Sequence, residues 1–173
     1  MTAPTRAAGA DRARPEDTRV RRLLALAPPV FVAHWLEESP GFVAWFNAHA
    51  APPITQQLFT SVNVTALAIT LLVVATEWAA PSTASLVMAV AWLGFLMLAN
   101  AVLHVGGALA DGAYVPGLVT ALALYLPYCA WLGAALLRSG RLRPAAAAAV
   151  VAVAAVPMLV HGYRIVFLGS RLF

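Results

Sequence analysis

The stretch STASLVMAVAWLGFLMLANAVLHVGGALA, residues 82–110, contains no Asp, Glu, Lys or Arg. At about 1.5 Å of rise per residue, such a helix outreaches the roughly 30 Å hydrocarbon core of a bilayer. Its polar side chains past the opening turn, Asn100 and His104, fall in its second half. This is a membrane-crossing segment. Three more runs of that kind flank it, Leu58–Ala80, Tyr114–Leu137 and Pro144–Phe167. A fifth run, Leu23 to about Leu36, is shorter, carries Pro28 and Pro29, and ends against Glu37 and Glu38. Read alone, it could be re-entrant or interfacial.

Composition agrees with these spans. The 173 residues are 62% hydrophobic and 10% charged, against about 25% charged in a soluble domain. All eleven basic residues are arginine, and residues 1–22 hold six of them. The rest of the chain is too sparsely charged for the dense basic stripe of a nucleic-acid surface. With Cys129 as the single cysteine, an internal disulfide and a cysteine-only metal cluster are excluded.

Arginine-rich short segments stay on the cytoplasmic side. The two such segments are the N-terminal tail and the loop Arg138–Arg143, and an even number of crossings must separate them. Three clear spans lie between, so Leu23–Glu38 is expected to be the fourth. The expected fold is an all-α polytopic bundle of five transmembrane helices in a plasma (inner) membrane, N-terminus cytoplasmic and C-terminus outside. Arg164 and Arg171 near the outer end fit that orientation least well. Residues 1–21 read as a disordered arginine-rich tail and 22–173 as one transmembrane domain. The outer segment 40–53, with Phe42, Trp45 and Phe46, reads as an interfacial aromatic belt or a substrate lid. Glu77 reads as a snorkelling interfacial acid and His49 as a solvated loop residue.

Ionisable side chains within membrane helices are costly and mark candidate sites. Counting along each span, His34 lies roughly 18 Å and Glu38 roughly 24 Å from the inner end, Asn100 and His104 roughly 27 and 33 Å, and His161 roughly 26 Å. Asn63 sits about 8 Å inside its span from the outer side. These groups converge on the outer half. In His34-Trp35-Leu36-Glu37-Glu38 the i, i+3 and i+4 positions share one helix face, a spacing found in metal-binding helices. Asn100 and His104 repeat the same-face logic, and Tyr114 before Pro116-Gly117 could donate into the site.

Together, His34-x-x-Glu37-Glu38, a separate His104 and Tyr114-x-Pro116-Gly117 resemble the HXXEE-motif family of bacterial integral membrane proteins of unknown function. The resemblance implies a site at His34, Glu37, Glu38, His104, Tyr114, Pro116 and Gly117, and no particular reaction.

Three functions fit these residues. The first is a metal-dependent enzyme in which His34, Glu38, His104 and His161 hold zinc or iron, Glu37 acts as general base on a bound water, and Asn63 and Asn100 support the site. Its substrate would be a lipophilic molecule entering from the bilayer. The second is a metal-free acid–base isomerase or cyclase. The third is a small carrier or proton-binding protein, for which a homodimer could supply paired repeats.

Overall fold

The computed structural model describes residues 15–170, and among these the architecture is helical throughout. The helices are α1 (Pro15–Leu24), α2 (Ala27–Glu38), α3 (Phe42–His49), α4 (Gln56–Ala79), α5 (Thr83–Asp111), α6 (Leu118–Ser139) and α7 (Pro144–Leu168). Helices α4 to α7 are long and apolar enough to cross a membrane, and the chain is a multi-pass membrane protein. Helix α5 is the most enclosed of the four. It packs along α7 on one side and against α4 and α6 on others.

The expected fifth span takes a different form. Residues 15–38 make two helices broken at Ala25-Leu26, and neither is long enough to cross a bilayer alone. Pro28 and Pro29 fall in the first turn of α2, where a missing N–H costs nothing because that donor has no intrahelical acceptor. The expected disordered tail also ends earlier than residue 21. Helix α1 begins at Pro15, with Glu16 and Asp17 in its first turn and Arg21 and Arg22 in its last, each sign matched to the helix dipole. Val20 and Leu24 are fully buried. The first fourteen residues of that tail lie outside the described residues.

The α1–α2 pair runs antiparallel to α6. Tyr128 Oη donates to the Leu23 carbonyl at 3.1 Å, and Glu37 meets the backbone of Val119 and Thr120. The start of α1 therefore lies towards the same end of the bundle as the basic loop after α6.

At that basic end, the Glu77 carboxylate pairs with the Arg141 guanidinium and accepts from the Ser85 hydroxyl. Arg141 Nη2 also donates to the Ser82 carbonyl at 2.9 Å. Glu77 is fully buried, so it is a paired structural acid and not a snorkelling one. A lone carboxylate there would be too costly to ionise, and the loop after α6 supplies its cation.

At the opposite end α3 lies across the bundle. Trp45 Nε1 donates to Asp111 Oδ2 at 2.7 Å, and His49 Nε2 meets Asp111 Oδ1 at 2.9 Å. His49 Nδ1 lies 2.8 Å from the Trp45 carbonyl. A carbonyl and a carboxylate both accept only, so both ring nitrogens of His49 donate and the ring is an imidazolium. The Trp45 carbonyl, with Asp111 beside it, holds its pKa above the ordinary value. His49 is therefore a clasp and not a freely solvated residue.

Candidate metal centre

The last turn of α2, the C-terminal half of α5 and the first turn of α6 meet around three buried side chains. His34 and His104 are fully buried, and Glu38 is nearly so. Glu38 Oε1 stands 3.0 Å from His104 Nε2 and 3.4 Å from His34 Nε2. Each of the three residues offers one ligand atom, and these atoms lie within 4.8 Å of one another. Two ligands on a tetrahedral zinc, at bonds of about 2.0–2.1 Å, stand roughly 3.3 Å apart, so the spacing suits one ion.

His104 gives the strongest sign that something is to be held. Its Nδ1 has no hydrogen-bond partner among the described residues, and its Nε2 faces the Glu38 carboxylate at 3.0 Å. Buried polar groups are normally satisfied, and a buried imidazole whose Nδ1 is unpartnered and whose Nε2 faces a carboxylate fits a ligand-binding role.

His34 is held from behind. Thr120 Oγ1 lies 2.5 Å from Glu37 Oε2 and 2.8 Å from His34 Nδ1. The carboxylate only accepts, so the single hydroxyl proton goes to Glu37 and the hydroxyl oxygen accepts from His34 Nδ1–H. Asn100 Nδ2, 3.2 Å from His34 Nε2, donates to it, so Nε2 presents its lone pair. A metal-binding histidine usually donates its other ring N–H to an outer acceptor of this kind. The ring also packs on Tyr125 with centroids 4.2 Å apart, and the buried Tyr125 hydroxyl has no partner among the described residues.

Glu37 is more constrained than the sequence suggests. Its Oε1 accepts from Tyr114 Oη at 2.7 Å and from Val119 N at 3.0 Å, and its Oε2 accepts from Thr120 N at 2.6 Å and Thr120 Oγ1. The carboxylate thus closes the N-terminus of α6, where free N–H groups and the helix dipole favour an anion. Tyr114 sits in the turn before α6. Burial, then the Glu37 carboxylate, raise its pKa, which keeps it a donor.

Gly117 seals the site at positive φ, +96°. A Cβ there would lie 2.6 Å from His104 Cε1 and 2.9 Å from both His34 Cε1 and Glu38 Cγ. The backbone of the Pro116-Gly117 turn therefore touches all three candidate ligands at once. Pro116 in turn fits against Gly41, whose Cβ would fall 2.9 Å from the proline Cγ.

Both α5 and α6 widen to π-helical turns beside the site, at Gly94–Ala99 just before Asn100 and at Ala121–Tyr125 just after Thr120. Single π-turns inside α-helices are often found at functional sites. Here they set the register in which Asn100, His104, Thr120 and Tyr125 face inward.

A cavity of about 550 Å³ opens beside Glu38. Asn63 from α4, Asn100 from α5 and His161 from α7 line it with Glu38. His161 is not one of the three clustered ligands. It stands across the cavity, its ring 6.3 Å from that of Phe46. Asn63 is buried and donates from Nδ2 to the Phe59 carbonyl of its own helix at 3.0 Å. Phe42 and Phe46 bring α3 over the cavity, the position of the lid named as one reading of that segment.

Of the residues expected to form a site, the structure brings His34, Glu38, His104 and Asn100 into direct contact. It sets Glu37 and Tyr114 behind His34 and leaves His161 and Asn63 on the cavity wall. Thr120 and Tyr125 belong to the site without any sequence signal, since a hydroxyl or phenol in an apolar helix is commonplace.

Residues 25–132 match a family described as a protein of unknown function with HXXEE motif, and this chain belongs to that family. No curated protein and no solved structure matches the chain.

Proposed function

We propose that this chain is a metal-dependent membrane enzyme acting on a lipophilic substrate, with the ion held by His34, Glu38 and His104. The observation that carries this reading is His104: a fully buried imidazole whose Nε2 stands 3.0 Å from a carboxylate, with a second imidazole at ligand spacing. Two histidines and one carboxylate with room for an exogenous ligand suit catalytic zinc or non-haem iron(II). When bound, such an ion supplies Lewis acidity towards an oxygen of the substrate or of water.

The residues divide the work. Glu37, through Thr120, fixes the tautomer of His34 so that Nε2 presents a lone pair. Because four donors occupy its carboxylate, Glu37 positions the site in this reading, and Tyr114 braces it. Asn63, Asn100 and His161 face the substrate from three helices. By the positive-inside rule the basic loop and α1 face the cytoplasm, which places the site in the outer half of a plasma (inner) membrane. The α1–α2 pair then completes a fifth crossing, and the C-terminus lies outside.

A specific observation supports a second reading. Glu38 Oε1 within 3.0 and 3.4 Å of two imidazole nitrogens is also the geometry of a carboxylate sharing a proton, as a metal-free acid–base isomerase would require.

Metal content separates the two. The detergent-purified full chain, from cells grown with ample zinc and iron, should retain metal through desalting, and His34→Ala and His104→Ala should not. Wild type without metal, at a level equal to both variants, would overturn the metal reading in favour of the second.

A further inference from the structure

We infer that the cavity beside Glu38 takes an uncharged lipid bearing a hydroxyl group, with the hydroxyl between Asn63, Asn100 and Glu38 and the hydrocarbon along the aromatic wall. This deepens the metal-enzyme reading, and rests on it for placing the substrate's reactive end at Glu38.

The wall defines the body of the ligand. Phe31, Phe42, Phe46, Phe59, Trp92 and Phe95 all line the cavity, and its volume of about 550 Å³ lies within the roughly 300–1,000 Å³ of small-molecule sites. Helices α4 and α7 both border it without packing extensively on each other. The α4 residues Leu58 and Val62 line it while remaining exposed on the membrane-facing surface. An apolar chain can therefore enter sideways from the bilayer.

The polar groups define the head. Among the described residues no arginine lines the cavity, and a carboxylate or phosphate, which only accepts, would set its lone pairs against acceptors already there. Several of the polar groups that reach it offer acceptors, and Thr65 and His161 also line it. Asn63 spends Nδ2 on the Phe59 carbonyl, and Asn100 directs Nδ2 to His34 Nε2, the atom an ion would claim. Their Oδ1 atoms have no hydrogen bond among the described residues and are not sealed by packing. Glu38 adds a carboxylate, and Ser61, on the same wall, spends its proton on the Gln57 carbonyl at 2.9 Å. A hydroxyl, which donates and accepts at once, matches these acceptors together with the amide N–H of Asn100 that an ion on His34 would free. An amine would also donate, but a divalent ion on Glu38 leaves the site with net positive charge, which disfavours an ammonium head.

Native mass spectrometry of the metal-loaded full chain in detergent resolves lipid and metal adducts in one spectrum. Oleyl alcohol, oleate, oleylamine and octadecene are the probes, alike in chain length and different in head. Oleyl alcohol should give a saturable one-to-one adduct at least about tenfold tighter than the other three, a difference of about 1.4 kcal/mol. Asn63→Leu, close in shape and not one of the three ligands, should abolish the preference of alcohol over octadecene and leave the metal adduct unchanged. Oleate or oleylamine binding as tightly as the alcohol, or no saturable alcohol adduct, would overturn the inference. A spectrum with the alcohol bound selectively and no metal adduct would instead overturn the metal reading and leave the hydroxyl-lipid assignment standing on the cavity alone.

Discussion

Gly117 lies so close to His104 that a Cβ on the glycine would fall 2.6 Å from the imidazole Cε1. The turn can hold this position because Gly117 adopts φ +96°, a region that side chains rarely occupy. Gly117→Ala should therefore act twice. It should cost about 1–3 kcal/mol of stability from backbone strain, and it should push His34, Glu38 and His104 apart. Thermal unfolding should show the first effect, and loss of retained metal at temperatures well below unfolding should show the second.

Thr120 separates a positioning role from a merely structural one. Thr120→Val removes the hydroxyl between Glu37 and His34 while keeping the shape, and Thr120→Ser keeps the hydroxyl. Changes to the outer partners of metal ligands typically lower affinity by about 10–100-fold. Metal titration should find that loss in Thr120→Val and near wild-type affinity in Thr120→Ser. Equal affinities in all three would remove the relay.

The Glu77–Arg141 pair should be costly to break. Arg141→Met leaves a fully buried carboxylate without its cation, and such losses typically cost about 3–5 kcal/mol. Adding Glu77→Gln should recover part of the loss, because the amide can still accept from Ser85 without needing to be charged. Unfolding of the two variants side by side checks the order.

At the other end, the clasp of α3 should depend on pH. The folded pKa of His49 is raised above its ordinary 6.5, so the stabilisation it gives is fully present below about pH 6.5 and is lost as pH rises through the folded value. His49→Gln should therefore lower stability more at pH 5.5 than at pH 9, where the two proteins should converge. A gap that widens with pH would contradict the imidazolium assignment.

Much of the fold and the core of the site are legible in the sequence, for different reasons. The four long helices follow from length and hydropathy, because nothing else in a 24- or 25-residue apolar helix such as α4 or α7 can satisfy its backbone in lipid. His34, Glu38 and His104 are visible because charge and imidazole are rare in such runs and share a depth. Depth does not give direction around the helix axis, so the same argument could not distinguish His104, which joins the cluster, from His161, which faces the cavity. Glu37 and Glu38 look alike as neighbours in sequence, yet one caps α6 and the other reaches the two imidazoles. Thr120 is invisible because its role exists only when α2 and α6 meet. The Glu77–Arg141 pair likewise needs the α6–α7 loop to fold back on α4 and α5, which no local pattern encodes.

The most direct test of the central claim is X-ray absorption spectroscopy of the full chain loaded with zinc. The account predicts a low-coordinate zinc site whose outer-shell scattering fits two imidazoles, falling to one imidazole in His104→Gln. A spectrum of zinc with only oxygen neighbours and no imidazole scattering, unchanged in His104→Gln, would contradict it.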